Sequence, residues 1–227
     1  MEKLGTSYGG WFIPKECKLN ENSIIYSVGV GEDISFDLLL NYKYKCKIFL
    51  IDPTKRAIDY YSNVIKYFNL ECDDHKLKNS YLKTINFKPN LNDFVYIDKG
   101  LWDSKTELKF YFQSNPEYVS QTFIQNMYTD NFYLVKTTSL KDIMEQFGHT
   151  QIDLLKLDIE GAEITVLEDM IKNNIFPKYL LVEFDLKLKN KDYSKLTESI
   201  IEKLEKINYK ILINDNWNIT FEKINLF

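Results

Sequence analysis

The stretch SIIYSVGVGEDISFDLLLNY, residues 23–42, decides the fold of this chain. Its first part, 23–30, is an apolar, β-branched run, the pattern of a strand buried on both faces. Apolar residues then recur at helical spacing, which predicts a helix over 32–42. A buried strand that runs through Gly29 and Gly31 into a helix is typical of the first unit of an α/β sheet.

The rest of the chain continues this alternation. Strands are predicted at 47–53, 93–102, 107–113, 133–140, 151–160 and 178–185. Helices are predicted at 54–70, 162–174 and 194–208, with a further short helix that has Ser139 near its cap and Gly148 near its end, and a closing hairpin around 214–216. The pattern predicts an α/β fold: one doubly wound, mostly parallel sheet with helices on both faces and an antiparallel C-terminal hairpin. Since no repeat or low-complexity linker divides the chain, we expect one domain over 1–227.

The composition argues against several classes of function. The 227 residues carry a net charge of −4 and a single arginine, Arg56, which opposes a general nucleic-acid binder. Three cysteines without a CxxC pair indicate reduced thiols, and two histidines leave little material for a histidine metal site or a Ser-His-Asp triad. No stretch approaches about 20 apolar residues, so we expect no membrane span and a cytoplasmic location.

The glycine turn, Gly29–Gly31, is expected to meet a ligand, because glycine lets a ligand approach the main chain at the carboxyl edge of a sheet. A dinucleotide fingerprint needs a third glycine, which is missing, and Glu32 and Asp33 would repel a pyrophosphate. Carboxylates suit the sulfonium and ammonium groups of S-adenosyl-L-methionine instead. A tight strand-to-helix turn without any ligand is the alternative.

Two further strand ends offer groups for an adenosine ligand. Asp52 ends the second strand 23 residues after Gly29 (52 − 29), where a carboxylate can accept hydrogen bonds from ribose hydroxyls. Asp103 follows the third strand and would accept from an adenine amino group, while Trp102 would stack on the ring. An ordinary turn acid before Pro53, and a solvated acid beside a core tryptophan, are the alternatives.

The stretch LLKLDIEGAE, 154–163, carries a cluster of charges. Strand alternation places Lys156, Asp158 and Glu160 on one face of the predicted strand 151–160. Unpaired buried charges are costly, so either Lys156 forms a structural ion pair or the cluster lines a cleft. The predicted strands 23–30 and 151–160 flank the point where the winding direction of the sheet reverses. We therefore expect Asp158 and Glu160 to face the glycine turn.

With these residues identified, the chain resembles the FkbM-type methyltransferase family. The matching stretches, in family order, are YGGWFIP (8–14), IIYSVGVGEDISFDLLL (24–40), IFLIDPT (48–54), GLWD (100–103), TTSLKDIM (137–144), IDLLKLDIEGAEITVLEDM (152–170) and LLVEFD (180–185). The resemblance implies a class I, Rossmann-like methyltransferase with a seven-stranded sheet. It also implies S-adenosyl-L-methionine as donor, S-adenosyl-L-homocysteine as product, and methyl transfer to an oxygen, usually a sugar or glycan hydroxyl.

The resemblance also assigns roles by position. The methionine part, the ribose and the adenine of the donor would lie, in that order, against Gly29, Gly31 and Glu32, then Asp52, then Asp103. Tyr8, in a cover segment at 1–22, would lie over the donor. Many relatives have an aspartate where this chain has Ser27, which leaves the amino-acid end of the donor to Glu32, Asp33 or Asp158.

Transfer to a hydroxyl calls for a base that removes the proton as the bond forms. We assign Asp158 or Glu160 before Glu183, with Lys156 holding one of them in its charged form. A divalent cation bound by Asp158 and neighbouring acids is the alternative. The acceptor is expected to be a small molecule or glycan precursor, phosphorylated and nucleotide-activated forms included, beneath an inserted hairpin or lid at 104–136.

Two rival functions stay open. One is a nicotinamide-dependent oxidoreductase, which the missing third glycine and the acids of the glycine turn oppose. The other is a non-catalytic module that binds an adenosyl ligand, which the gathering of glycines and carboxylates at one sheet edge opposes. Whether the chain forms a homodimer is also open.

Overall fold

Short strands and five helices alternate along the part of the chain that the structure describes. This computed structural model describes residues 1–69, 82, 85–112, 120–125, 130–184 and 191–224. The strands are β1 (Glu2–Leu4), β2 (Trp11–Ile13), β3 (Ile24–Val28), β4 (Lys47–Ile51), β5 (Phe94–Ile97), β6 (Gly100–Leu101), β7 (Glu107–Tyr111), β8 (Phe132–Thr138), β9 (Leu154–Leu157), β10 (Tyr179–Glu183), β11 (Tyr209–Asp215) and β12 (Asn218–Lys223). The helices are α1 (Ser35–Tyr44), α2 (Lys55–Phe68), α3 (Leu140–Phe147), α4 (Glu163–Lys172) and α5 (Lys191–Lys206).

Seven of these strands form a mixed central sheet in the order β11-β12-β10-β9-β3-β4-β5. Strands β10, β9, β3, β4 and β5 pair in parallel, and β12 is antiparallel to both of its neighbours. The prediction of a mostly parallel sheet closed by an antiparallel hairpin is confirmed. The chain winds outward from β3 through β4 to β5 and then returns to β9 on the other side of β3. The switch point therefore lies between β3 and β9, where Ser27 pairs with Lys156.

Helices cover both faces of the sheet, as the alternating pattern predicts. On one face, α1, α2 and the N-terminal strand β2 pack against inward side chains such as Ile25 and Ile48. On the other face, α3, α4 and α5 pack against Tyr26, Phe49 and neighbouring residues. None of the described helices is long and apolar enough to span a membrane.

Two smaller sheets lie beside the central one. Strands β1 and β2 form an antiparallel pair within the predicted cover segment, which the sequence pattern did not indicate. Strands β7 and β8 pair antiparallel in the predicted insert, and β6 joins β8 in parallel. The insert residues 113–119 and 126–129, with the aromatic side chains Tyr118 and Tyr128, lie outside the described part of the chain.

The bounds of three predicted elements differ from the structure in ways that affect the site. Helix α1 begins at Ser35, so the segment 29–34 is a loop between strand and helix. The predicted strand 93–102 is split into β5 and β6. The predicted strand 151–160 shortens to β9, which ends at Leu157. Asp158 and Glu160 therefore lie beyond the strand, and the strand alternation that placed them on one face with Lys156 was wrong.

Candidate functional site

A cavity of about 760 Å³ opens at the carboxyl ends of the central parallel strands. This volume lies in the range of roughly 300–1,000 Å³ typical of small-molecule sites, and the position is where ligands bind in open α/β sheets. Its walls are formed by the segments 6–9, 28–33, 51–54 and 158–160, together with Gly100, Leu101, Phe110, Ser120, Gln121, Phe123, Lys156, Glu183 and Trp217. The predicted cover segment and part of the predicted insert thus both border the cavity.

Gly29 lies against the loop that follows β9. Its φ is +80°, and a Cβ atom at this position would lie 1.8 Å from the backbone oxygen of Asp158. Its amide donates to the Ile51 oxygen at 3.0 Å, so the residue joins the ends of three adjacent strands. Glycine is required here by the protein's own backbone, independently of a ligand.

Asp52 lies at the cavity wall, but its carboxylate is already engaged by the chain. One oxygen accepts from the amides of Val30 (2.9 Å) and Gly31 (3.1 Å). The other accepts from the amide (2.8 Å) and hydroxyl (2.7 Å) of Thr54. A carboxylate offers about four acceptor positions, and the chain fills them all. Burial raises the pKa of Asp52, while these hydrogen bonds oppose the rise.

We expect Asp52→Asn to destabilise the ligand-free protein. The amide nitrogen must face either the glycine-turn amides or Thr54, and it can accept from neither. A buried donor left without its acceptor costs about 1–3 kcal/mol, so urea denaturation should show a loss of that size in the unfolding free energy. If Asp52 serves only a ligand's ribose, the ligand-free stability will not change and only ligand affinity will fall.

Glu32 and Asp33, which were expected to face a cationic ligand, each have a protein partner. Glu32 forms an ion pair with Arg56 at 2.6 Å. Asp33 accepts from the Thr6 hydroxyl at 2.6 Å and from the Ser35 amide at 2.8 Å, where α1 begins. Both acids line the cavity. Asp33 therefore fastens the N-terminal segment to the start of α1, and Glu32 fastens the glycine turn to α2.

The Lys156 ammonium is buried beneath the glycine turn. Its Nζ donates to the Gly29 oxygen at 2.8 Å and to the Val28 oxygen at 3.4 Å. It lies 3.6 Å from a carboxylate oxygen of Asp158 and 5.5 Å from the centre of the Trp11 ring. The structural ion pair considered from the sequence is therefore present, and it forms part of the cavity wall.

The loop after Asp158 is held in shape by residues that the sequence reasoning did not assign to the site. Glu160 has a φ of +52°, a strained value for a side chain with a Cβ atom, and Thr122 donates to its backbone oxygen at 2.5 Å. The buried Glu163 carboxylate accepts from the amides of Ile159 and Gly161, each at 3.1 Å. From sequence, Glu163 stands out only as an acid in the first turn of a helix.

Tyr193 completes this support from α5. Its hydroxyl contacts the Glu163 carboxylate at 3.1 Å and also donates to the Gly161 oxygen. Thr122 and Tyr193 are 38 and 30 residues away in sequence from the groups they bind, so no local pattern could reveal them.

Tyr8 lies at the rim of the cavity, and its role as a cover residue stays a prediction. It is 85% exposed, yet its pKa is raised, first by partial burial of the hydroxyl and then by nearby acids. Those acids are Asp158, Glu160, Glu183 and Asp33. The phenol therefore lies close to the group of carboxylates around the cavity.

Trp102 and Asp103 do not line the cavity. The Trp102 amide donates to the Thr138 oxygen at 2.9 Å, which directs the chain toward β8, and its ring contacts Phe123. Asp103 is exposed and accepts from Ser104. Their assignment to the adenine stays a prediction without support from this geometry. Gly100, Leu101 and Phe123 occupy the corresponding wall instead.

The cavity fits an adenosyl ligand in size and in the chemistry of its walls. Backbone groups of the glycine turn and the side chains of Asp158 and Glu160 line it. Among the residues that the structure describes, no three His, Cys, Asp or Glu side chains are grouped so that they could hold a metal ion.

Comparisons with known proteins identify the family. The family described as the methyltransferase FkbM domain matches residues 12–211. No curated protein matches the chain significantly.

Among solved structures, an rRNA methylase from Streptococcus thermophilus has a TM-score of 0.46 at 10% identity, over 91% of this chain and 90% of its own. The fibrillarin/Nop5p complex has a TM-score of 0.47 at 8% identity, and the match covers 92% of this chain and 75% of the chain in that structure. The METTL16 MTase domain has a TM-score of 0.47 at 8% identity, and the match covers 89% of this chain and 61% of the chain in that structure. These likenesses are distant, whereas the family match spans most of the chain. The chain therefore belongs to the FkbM family of S-adenosyl-L-methionine-dependent methyltransferases.

Proposed function

We propose that this protein transfers a methyl group from S-adenosyl-L-methionine to a hydroxyl oxygen of a sugar, a glycan precursor or a similarly polar small molecule. The observation that carries the proposal is the cavity at the switch point, bounded by the glycine turn on one side and by Asp158 and Glu160 on the other. A donor and an acceptor can meet there, between backbone groups and carboxylates. The family match supports the donor.

The donor would be held mainly by backbone and acids at the edge of β3. The glycine turn supplies close main-chain contact, and Asp158 lies beside it through the approach of Gly29. Tyr8 and the rest of 6–9 border the cavity from the N-terminal segment. When bound, the donor supplies the sulfonium methyl group. Asp52 acts chiefly by fixing the turn, because its acceptor positions are filled by Val30, Gly31 and Thr54.

The chain's contribution to the chemical step is alignment and removal of one proton. Aligning two reactants can contribute on the order of 7–11 kcal/mol, and a positioned base adds about 10²–10⁴-fold. Asp158 is our first candidate for the base, because it borders the glycine turn and pairs with Lys156. Glu160 is the second candidate and Glu183 the third, since all three border the cavity.

The described walls favour an acceptor without phosphate groups. Lys156 is the one cationic side chain among the described lining residues, and its ammonium already serves Gly29 and Asp158. Two exposed aromatic side chains, Tyr8 and Trp217, lie at the rim, where rings with a polar edge can pack on a sugar. A neutral, hydroxyl-rich acceptor matches this combination.

A screen with isotope-labelled methyl donor tests the proposal. Neutral sugars and glycan precursors should be paired with their phosphorylated and nucleotide-activated forms, and label should appear as an O-methyl ether in the neutral members. A thermal-shift comparison of ligands provides the opposing test. Stabilisation by NAD but not by S-adenosyl-L-homocysteine would replace methyl transfer with the oxidoreductase function.

A further inference from the structure

One wall of the cavity is apolar and lies where the predicted insert meets β6. Gly100, Leu101, Phe110 and Phe123 line the cavity there, and we call them the apolar wall. The two rings contact each other, with their centroids 4.5 Å apart. A Cβ atom on Gly100 would lie 2.4 Å from the Phe123 ring, so the missing side chain is what lets this ring lie against β6. Such a surface suits a flat, aromatic part of a ligand.

The carboxylates assigned from sequence to the adenosine part of the donor do not serve the apolar wall. The acceptor positions of Asp52 are filled by the chain itself. Asp103 does not line the cavity. Two polar side chains of the predicted insert do line it, Ser120 and Gln121. Because a buried ligand edge with donors and acceptors needs polar partners, these two side chains are candidates to meet it.

The Gln121 carboxamide is oriented by Tyr133, a residue of β8. The Tyr133 hydroxyl donates to Gln121 Oε1 at 2.8 Å. The Tyr133 ring also packs edge-on against Phe110, which places the hydrogen-bonded pair beside the apolar wall. Burial raises the pKa of Tyr133 to about 12, and the charge of Asp52 adds to the rise, so the phenol keeps its proton at neutral pH. A carbonyl oxygen has two acceptor positions, and Tyr133 occupies one of those on Oε1.

We propose that Gln121 recognises the adenine base of the methyl donor and that Tyr133 orients its carboxamide for this contact. This inference rests on the proposed function. The base would pack on the apolar wall, with its polar edge toward Gln121. A glutamine carboxamide matches adenine through two hydrogen bonds, since its oxygen accepts from the N6 amino group while its nitrogen donates to N7. Hypoxanthine carries two acceptors, O6 and N7, at the same edge, and a carboxamide in either orientation can satisfy only one of them.

The test compares S-adenosyl-L-homocysteine with S-inosyl-L-homocysteine, its analogue with hypoxanthine in place of adenine, by calorimetry. The wild type should bind the adenosyl ligand about 10–100-fold more tightly, the discrimination that one paired carboxamide provides. Gln121→Ala should bind the adenosyl ligand more weakly by a similar factor and should bind the two ligands about equally. The matched control is Gln151→Ala, because Gln151 is exposed, donates to Asp153 and does not line the cavity. Its affinity ratio should equal that of the wild type.

Tyr133→Phe separates orientation from direct contact, because it keeps the ring and removes the hydroxyl that holds Gln121 Oε1. Its affinity ratio should fall between those of the wild type and Gln121→Ala, while the ligand-free melting temperature confirms that each variant is folded. An unchanged ratio in Tyr133→Phe would overturn the part assigned to that residue.

The remaining outcomes separate this inference from the proposed function. An unchanged ratio in Gln121→Ala overturns the inference, and so does equal weakening of both ligands, because a contact outside the N6–N7 edge would not discriminate between them. A wild type that binds both ligands equally also overturns it and leaves the proposed function intact. A wild type that binds neither ligand refutes the proposed function itself.

Discussion

Gly29→Ala is expected to disrupt both the fold of the sheet edge and donor binding. The added Cβ atom would lie 1.8 Å from the Asp158 oxygen, so β3 or the loop after β9 must move. The residue must also keep a φ of +80°, which costs a side chain about 1–2 kcal/mol, and forcing atoms into a packed site costs about 1–3 kcal/mol more. Urea denaturation should therefore show a loss of about 2–5 kcal/mol, and calorimetry should detect no binding of S-adenosyl-L-homocysteine.

Gly148→Ala is the matched control for this substitution. Gly148 ends α3 with a φ of +69°, but a Cβ atom there would meet nothing within 4 Å. Its substitution should cost only the backbone strain, about 1 kcal/mol, and should leave donor binding unchanged. Equal losses for the two variants would mean that the contact with Asp158 relaxes easily and that Gly29 has no special place in the site.

The fold could be predicted from sequence because it depends on local patterns. The apolar run of β3, the helical period of α2 with its Thr54 cap, and the closing hairpin each carry their own signal, and each is present in the structure. Strand order follows from alternation and handedness once these elements are known. The predicted bounds of β9 were wrong because LDIE continues the alternation of a strand, whereas the strand pairing stops at Leu157 and Glu160, in the loop that follows, takes a positive φ.

The site was less predictable, because its contacts join distant parts of the chain. Glu32 and Asp33 line the cavity, but their partners Arg56 and Thr6 lie 24 and 27 residues away and have no sequence signal. Trp102 comes directly after β6, which pairs with β8 and not with the central sheet. The chain therefore carries Trp102 toward β8 and away from the cavity.

Replacing the proposed base is expected to have the largest effect on turnover. Asp158→Asn and Glu160→Gln preserve size and remove the negative charge, and with it the ability to accept a proton. Asp158→Asn also removes the ion pair with Lys156. The variant that lacks the base should lose about 10²–10⁴-fold in kcat at saturating donor, and the other should lose much less. We expect the larger loss in Asp158→Asn, because Asp158 lies beside the glycine turn, where the donor is proposed to bind. Its backbone hydrogen bond to the Val28 oxygen, at 3.2 Å, is unaffected by the substitution, so the loop should keep its position.

Glu183→Gln serves as the control, because Glu183 borders the same cavity from β10 and the change is chemically the same. Its kcat should stay within a few-fold of the wild type. The pH profile separates a base from a merely structural acid: in the variant without a base, kcat should keep rising with pH as hydroxide takes over the proton, while the structural variant should follow the wild-type curve. A collapse confined to Glu183→Gln would move the base to β10. Full activity in both Asp158→Asn and Glu160→Gln would remove the loop after β9 from the chemistry, because alignment of donor and acceptor would then account for the rate without it.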